Sequence, residues 1–183
     1  MNARYTRTAV ALHWLIAIGV IVNVTLALSW PHAADEQVRP MIDLHKSVGI
    51  TILGLAIMRL LWRATHKPPA FAISYKRWEV TVAHIVHWLL YFVIFAMPLT
   101  GWIMDSGYKD AATHPMFLYG LFEWPRIGFI MHLDPATRDR VHDLFGEAHE
   151  LIAWLVFALF ALHVAGALKH QLEGHKELQR MLP

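Results

Sequence analysis

Cysteine is absent from the 183 residues, which excludes disulfides, thiolate zinc sites, iron–sulfur clusters, a catalytic thiol and covalently attached c-type haem, whose anchor is C-x-x-C-H. Charge is scarce as well: Asp, Glu, Lys and Arg make up 16% of the chain, against about 25% in an average soluble domain. Hydrophobic residues reach 56%, and the mean hydropathy is +0.39. Such a composition suits a bilayer. The net charge of +2 is then flanking charge between apolar blocks and not a nucleic-acid footprint. Histidine is the abundant polar residue, with 13 copies, so any ligation of a metal or cofactor runs through imidazole.

A hydrocarbon core of about 30 Å requires about 20 helical residues. Four apolar runs meet that length, at about 9–30, 41–63, 80–104 and 143–169. They predict an all-α integral membrane four-helix bundle in a single domain spanning residues 1–183, with Pro98 expected to kink the third helix. The first run follows Arg4 and Arg7, as a signal peptide would, but its 22 residues exceed an ordinary signal core and it reads as a helix. Ten of the sixteen Lys and Arg flank the N-terminus, the link between runs two and three, and the C-terminus, where Lys176 is one of them. The opposite side carries six bases and eleven of the fourteen acids. The positive-inside rule therefore predicts cytoplasmic termini. Segment 105–142 is the expected periplasmic loop. Its Pro115, Pro125 and Pro135 among Phe117, Tyr119, Phe122 and Trp124 predict a packed cap with a short helix.

Ionisable residues within spans are costly and functional by default. His149 and His163 are fourteen residues apart, about 21 Å of rise and about 40° short of four full turns, so they share one face near opposite membrane surfaces. His13 lies six residues after Arg7 and His163 six before Lys169, which puts both about 9 Å inside the charges of one surface. His45 opens run two as His149 opens run four. Two imidazoles from neighbouring helices at one level, repeated about 20 Å away, are what two stacked bis-histidine haems require. Small residues one turn away, such as Ala9, Gly49, Gly146 and Gly166, leave room beside the ligands. Taken singly, each histidine is also readable as an interhelical hydrogen-bond donor.

His84 and His87 lie on one side of run three and could replace His13 as a ligand, line a quinone pocket, or simply pack. His170 continues the stripe of His163 and could bond a quinone carbonyl or sit at the headgroup level. Arg59, inside span two, is a candidate partner for a haem propionate, with snorkelling to the surface as the alternative. Lys46, beside His45, could serve the outer propionates. The remaining histidines, His175 included, receive no role.

Several local patterns belong together: Leu12-His13-Trp14, Leu44-His45-Lys46-Ser47-Val48-Gly49, Arg59-Leu60-Leu61-Trp62-Arg63, Pro68-Pro69, Ala83-His84 through His87 to Tyr91, the His149 to His163 spacing, and Lys169-His170 followed by Leu178 to Met181. The chain resembles the bacterial cytochrome b561 family, which includes superoxide oxidase and is related to the b-type subunits of formate dehydrogenase and nickel–iron hydrogenase. The resemblance covers all four spans and thins in the outer loop. It implies two haems b in the bundle core, the cytoplasmic one held by His13 and His163 and the periplasmic one by His45 and His149. It further implies a ubiquinone pocket by the cytoplasmic haem involving His87 and His170, and residence in the bacterial inner membrane. One departure is Lys169-His170, where relatives often carry tandem histidines. Another is the acidic outer side, whose six bases and eleven acids give a formal −5 and repel superoxide unless Lys46, Arg126, Arg138 or Arg140 form a local cationic funnel.

The expectation is a di-haem b transmembrane electron-transfer protein passing single electrons between a periplasmic donor and the membrane quinone pool. The resemblance favours superoxide as donor, which makes the chain a superoxide:ubiquinone oxidoreductase. Its partners are then membrane lipid, quinone and superoxide, with no nucleic acid. Alternatively, the chain is an anchor and relay for a periplasmic redox protein docked on the cap. A divalent-metal transporter is the reading from a different class. Against it, the span centres lack Asp and Glu, and the histidines cluster at two depths instead of one midplane site.

Overall fold

A computed structural model describes residues 4–69, 75–175 and 177–182; Lys176, counted among the flanking bases, lies outside the described residues. Among the described residues, four helices are long and apolar enough to cross a membrane. They are α1, Arg7–Ser29, prolonged by a 3-10 turn at Trp30–His32; α2, Asp35–Thr65; α3, Arg77–Ser106; and α5, Pro135–Leu172. Between α3 and α5 lie a hairpin of β1, Phe117–Leu118, and β2, Phe122–Glu123, and the one-turn helix α4, Gly128–Met131. A final turn, α6, covers Glu177–Arg180.

Capping chemistry explains the helix starts. Thr6 Oγ1 accepts the Ala9 N–H at 3.3 Å and the Trp62 indole N–H at 2.9 Å, so the cap of α1 also pins the end of α2 beside it. At α5 the Asp134 carboxylate accepts the Thr137 N–H at 3.0 Å, with Pro135 in the first position. That cap starts α5 eight residues before the apolar run at 143. Likewise α2 starts six residues before 41, with Asp35 and Glu36 in its first turn against the helix dipole. Apolar runs mark where lipid begins; caps mark where helix begins. α3 passes through Pro98 without a break.

α1 packs along α2, α2 on α3, and α3 along α5. A small apolar core of Val86, Val93 and Leu159, flanked by Leu90, Ile152 and Val156, joins α3 to α5. Among the described residues, α5 makes its extensive packing with α3 and not with α1 or α2. α1 and α2 approach α5 through side chains, among them the rings of His13 and His45.

Residues 107–134 fold over one end of the bundle. Ser47, 1% exposed, donates to Asp43 O at 2.8 Å and accepts the Tyr119 N–H at 2.9 Å. The Tyr119 hydroxyl lies 2.8 Å from Thr51 Oγ1. These bonds hold Tyr119 at φ 53° next to Gly120 at φ 72°, the two left-handed residues at the centre of a turn closed by the Leu121 N–H to Leu118 O bond at 3.0 Å, within the three-residue loop between the paired Leu118 and Phe122. Asp105 fixes the base of the cap by accepting from Lys46 Nζ at 2.6 Å and Arg126 Nε at 2.8 Å. Arg126 also donates to the carbonyls of Ala111 and His114. The cap is packed and includes the short helix α4; the hairpin is an addition to what composition predicted.

Candidate functional site

Histidines from different helices meet in two tiers. At the end of the bundle that holds the chain termini, the rings of His13 on α1 and His163 on α5 stand 6.1 Å apart, centre to centre, with planes crossed at 77°. At the cap end, His45 on α2 and His149 on α5 stand 6.2 Å apart with planes crossed at 69°. All four are partly buried. The fourteen-residue interval on α5 separates the tiers by about 21 Å.

The separations are informative. Two imidazoles bound to opposite sides of one metal ion, with bonds of about 2.0–2.1 Å and a ring radius of about 1.1 Å, place their centres about 6.3 Å apart. Two imidazoles joined by a direct N–H···N bond of about 2.9 Å place them about 5.2 Å apart. Both tiers have the first spacing. His87 on α3 approaches His163 to 5.4 Å, nearer the second, so His13 fits the role of His163's partner across a metal better than His87 does.

Hydrogen bonds set the tautomers at the cap end. His45 Nδ1 faces the Asn23 carbonyl at 3.2 Å and must donate to it. His149 Nδ1 lies 3.0 Å from Thr100 Oγ1, whose own proton is taken by the carbonyls of Ala96 and Met97 at 2.8 and 2.9 Å. His149 Nδ1–H is therefore the donor. In both rings Nε2 is left for a metal, and the bonded N–H makes the ring a stronger ligand. Among the described residues, His13 and His163 form no such bond. Gly101 adjoins His149 so closely that a Cβ there would stand 3.2 Å from its Cε1. Trp30 closes on His45 edge to face at 5.2 Å.

The other predicted residues separate into distinct surroundings. Arg59 Nη1 donates to Ala9 O at 3.1 Å, one turn before His13, and its guanidinium lies 5.9 Å from the Tyr91 ring. Arg63 covers the same ring at 5.5 Å. Together with Arg4, Thr6 and Ala9 these residues line a cavity of about 190 Å³. Among the described residues, neither Arg59 nor Arg63 has a carboxylate partner. Lys46, by contrast, is paired with Asp105. His87 donates from Nδ1 to Ala83 O at 2.6 Å, which leaves its Nε2; His84 is exposed on the same helix. His170 is in a different setting, stacked on Tyr75 at 4.3 Å beside Glu173 and His175. The ring contacts of His87 and His170 run to different partners.

Sequence reasoning missed Asn23, Thr100, Gly101 and the association of His170 with His175. Thr100 and Gly101 sit among the apolar residues of run three, and only the register of α3 against α5 brings them to His149. Of the four, only His170 and His175 carried a signal, the pattern His-x-x-Glu-x-His.

The chain matches the family model of prokaryotic cytochrome b561 over residues 4–183. It is 31% identical to cytochrome b561 homolog 2 of Escherichia coli (strain K12), across 98% of this chain and 91% of that protein. It is 26% identical to probable superoxide oxidase CybB of Yersinia pestis, across 100% and 98% of the two chains. Identity to cytochrome b561 homolog 1 of E. coli (strain K12) is 23%, across 98% and 97%. A match of that extent, on four membrane-length helices carrying paired histidines, shows that this chain belongs to the prokaryotic cytochrome b561 family, the haem b proteins of membrane electron transfer.

Proposed function

We propose that this chain is a di-haem b protein of the bacterial inner membrane, with cytoplasmic termini and a periplasmic cap, that passes electrons from superoxide to the quinone pool. The observation that carries the proposal is the doubled histidine pairing at 6.1 and 6.2 Å. Each haem, when bound, supplies reversible one-electron chemistry across its half of the bilayer. His13 and His163 hold the cytoplasmic group and His45 and His149 the periplasmic one. Because His149 and His163 share α5, one helix sets the spacing between the two centres.

The cationic cavity of Arg4, Arg59 and Arg63 suits carboxylates, and we assign it to the propionates of the cytoplasmic group. The free Nε2 of His87, beside His163, is our assignment for the quinone carbonyl. His170 would join it only by leaving its stack on Tyr75. On the periplasmic side, Lys46 and Arg126 share the single carboxylate of Asp105, which leaves one net positive charge beside His45 on an otherwise acidic surface. Lys46 contributes to the outer propionates through that excess charge. The local excess attracts a small anion, and the likeness to probable superoxide oxidase CybB supports superoxide in particular. Two superoxide ions each give up one electron and leave as dioxygen; the quinone takes both electrons and two cytoplasmic protons to become quinol.

A second reading rests on the cap. Leu121 and Phe129 are 79% and 74% exposed there, which favours a periplasmic redox protein docked on the cap as electron donor. Stopped-flow mixing with superoxide separates the two. The superoxide reading requires fast haem reduction, slowed by salt in proportion to the local positive charge. No reduction at any ionic strength would remove superoxide as donor and leave the docked protein.

A further inference from the structure

We propose that the C-terminal end of α5 carries a site for a divalent cation of the Zn²⁺ class, formed by His170, Glu173 and His175. Their ligand atoms all lie within 4.8 Å of one another. His170 Nδ1 is 3.4 Å and His175 Nδ1 4.0 Å from the same oxygen, Glu173 Oε2. In a tetrahedral site with bonds of about 2.0–2.2 Å, neighbouring ligand atoms stand about 3.3–3.6 Å apart. The three groups therefore close on one ion through shifts of about an ångström.

The surroundings hold both rings in position. Tyr75, from the segment preceding α3, stacks face to face on His170 at 4.3 Å and meets His175 edge to face at 4.6 Å. The side chains of His170 and His175 are 16% and 21% exposed, whereas Glu173, at 45%, is open to an arriving ion. Two nitrogens and one oxygen suit Zn²⁺, which leaves its fourth position to water. Ca²⁺ and Mg²⁺ require an oxygen cage, and Cu⁺ requires sulfur. The Glu173 carboxylate accepts one hydrogen bond, from Lys169 Nζ at 2.8 Å.

Lys169 is the competitor. Its Nζ is shared between Glu173 at 2.8 Å and Glu79 at 2.7 Å. An ion that takes Glu173 leaves the ammonium on Glu79, at the start of α3, so binding costs Lys169 one partner and not both. The ion would join the end of α5 to the turn that leads into α6 and fix the rings against Tyr75. The site does not depend on the electron-transfer reading, since His170 lies about 10 Å along α5 from His163.

The test is equilibrium dialysis of the haem-loaded protein in detergent against micromolar Zn²⁺, with zinc per chain read by mass spectrometry and the ligand set by zinc-edge X-ray absorption. Wild type takes up one Zn²⁺ with nitrogen and oxygen neighbours. His175→Gln and Glu173→Gln each weaken that uptake by about tenfold or more, with an unchanged haem spectrum as the control for folding. Lys169→Gln strengthens it, because Glu173 loses its rival cation; a merely disordered tail would not respond in that direction. Equal zinc uptake by wild type, His175→Gln and Glu173→Gln, or none in wild type, overturns the proposal.

Discussion

Thr100→Val isolates one hydrogen bond at the cap-end tier. The substitution keeps the branched shape and deletes the hydroxyl that accepts from His149 Nδ1–H at 3.0 Å. That bond gives the imidazole more electron density to donate, which favours oxidised over reduced iron and lowers the potential. A neutral hydrogen bond contributes about 0.5–1.5 kcal/mol net. If about 1 kcal/mol of this is specific to the oxidised state, its loss raises the potential by about 40 mV, at 59 mV per tenfold for one electron. His45 is similarly bonded to Asn23, whereas His13 and His163 lack such bonds among the described residues and lie near Arg59. On the proposed di-haem reading, the cap-end centre is therefore the lower-potential one, and electrons would run downhill toward the termini. An optical redox titration checks this: in Thr100→Val the lower wave rises by about 40 mV and the upper stays fixed, while Thr100→Ser behaves as wild type. A stationary lower wave, or an equal shift in the Ser variant, would refute the reasoning.

Other perturbations read other parts of the structure. His163→Ala removes the termini-end haem alone, so pyridine haemochrome analysis falls from two haems per chain to one, and the surviving wave is the lower one; loss of both or of neither contradicts the pairing. Asp105→Asn strands Lys46 and the Arg126 guanidinium, which is 5% exposed, and costs about 3–5 kcal/mol as for other broken buried pairs. It is expected to lower Tm and open the cap to protease, and an unchanged Tm would show that the cap does not rest on Asp105. The Asp134 carboxyl is held below its ordinary 3.8 by the Thr137 hydroxyl and backbone N–H. Its contribution to the first turn of α5 is complete above 3.8 and is lost as pH falls through the depressed folded value. Hydrogen exchange at Thr137 accelerates in that acid window in wild type but not in Asp134→Asn; the same pH dependence in both would exclude the carboxylate as its source.

The spans and the histidine tiers were legible because both follow from one-dimensional spacing. An apolar run of membrane length needs no partner to be recognised, and His149 and His163 declare a shared face through helical periodicity alone. His13 and His45 could be matched to them in depth because flanking charges such as Arg7 and Lys169 mark the membrane surface. What could not be read depends on how helices turn against each other. Thr100 is one residue among many on α3, and nothing local distinguishes it from Thr81 or points its hydroxyl at His149. The preference for His13 over His87 opposite His163 is a difference between 6.1 and 5.4 Å, below the resolution of any spacing argument. Helix starts at Asp35 and Pro135 were invisible to an apolar count, since caps are polar. The hairpin at Tyr119 and Gly120 escaped because a tyrosine is an unusual left-handed residue, and its bonds to Ser47 and Thr51 exist only after the cap has folded onto α2. The His170 cluster depends on Tyr75, nearly a hundred residues earlier in the chain.

Low-temperature EPR of the fully oxidised protein, with spin quantitation, tests the paired-histidine tiers most directly. Imidazole planes crossed at 77° and 69° would, if they held a ferric haem iron between them, give it a strongly anisotropic low-spin spectrum. The di-haem proposal predicts two such ferric signals that together integrate to two spins per chain. A high-spin signal at either centre, or low-spin intensity amounting to one spin, would contradict bis-histidine ligation in both tiers.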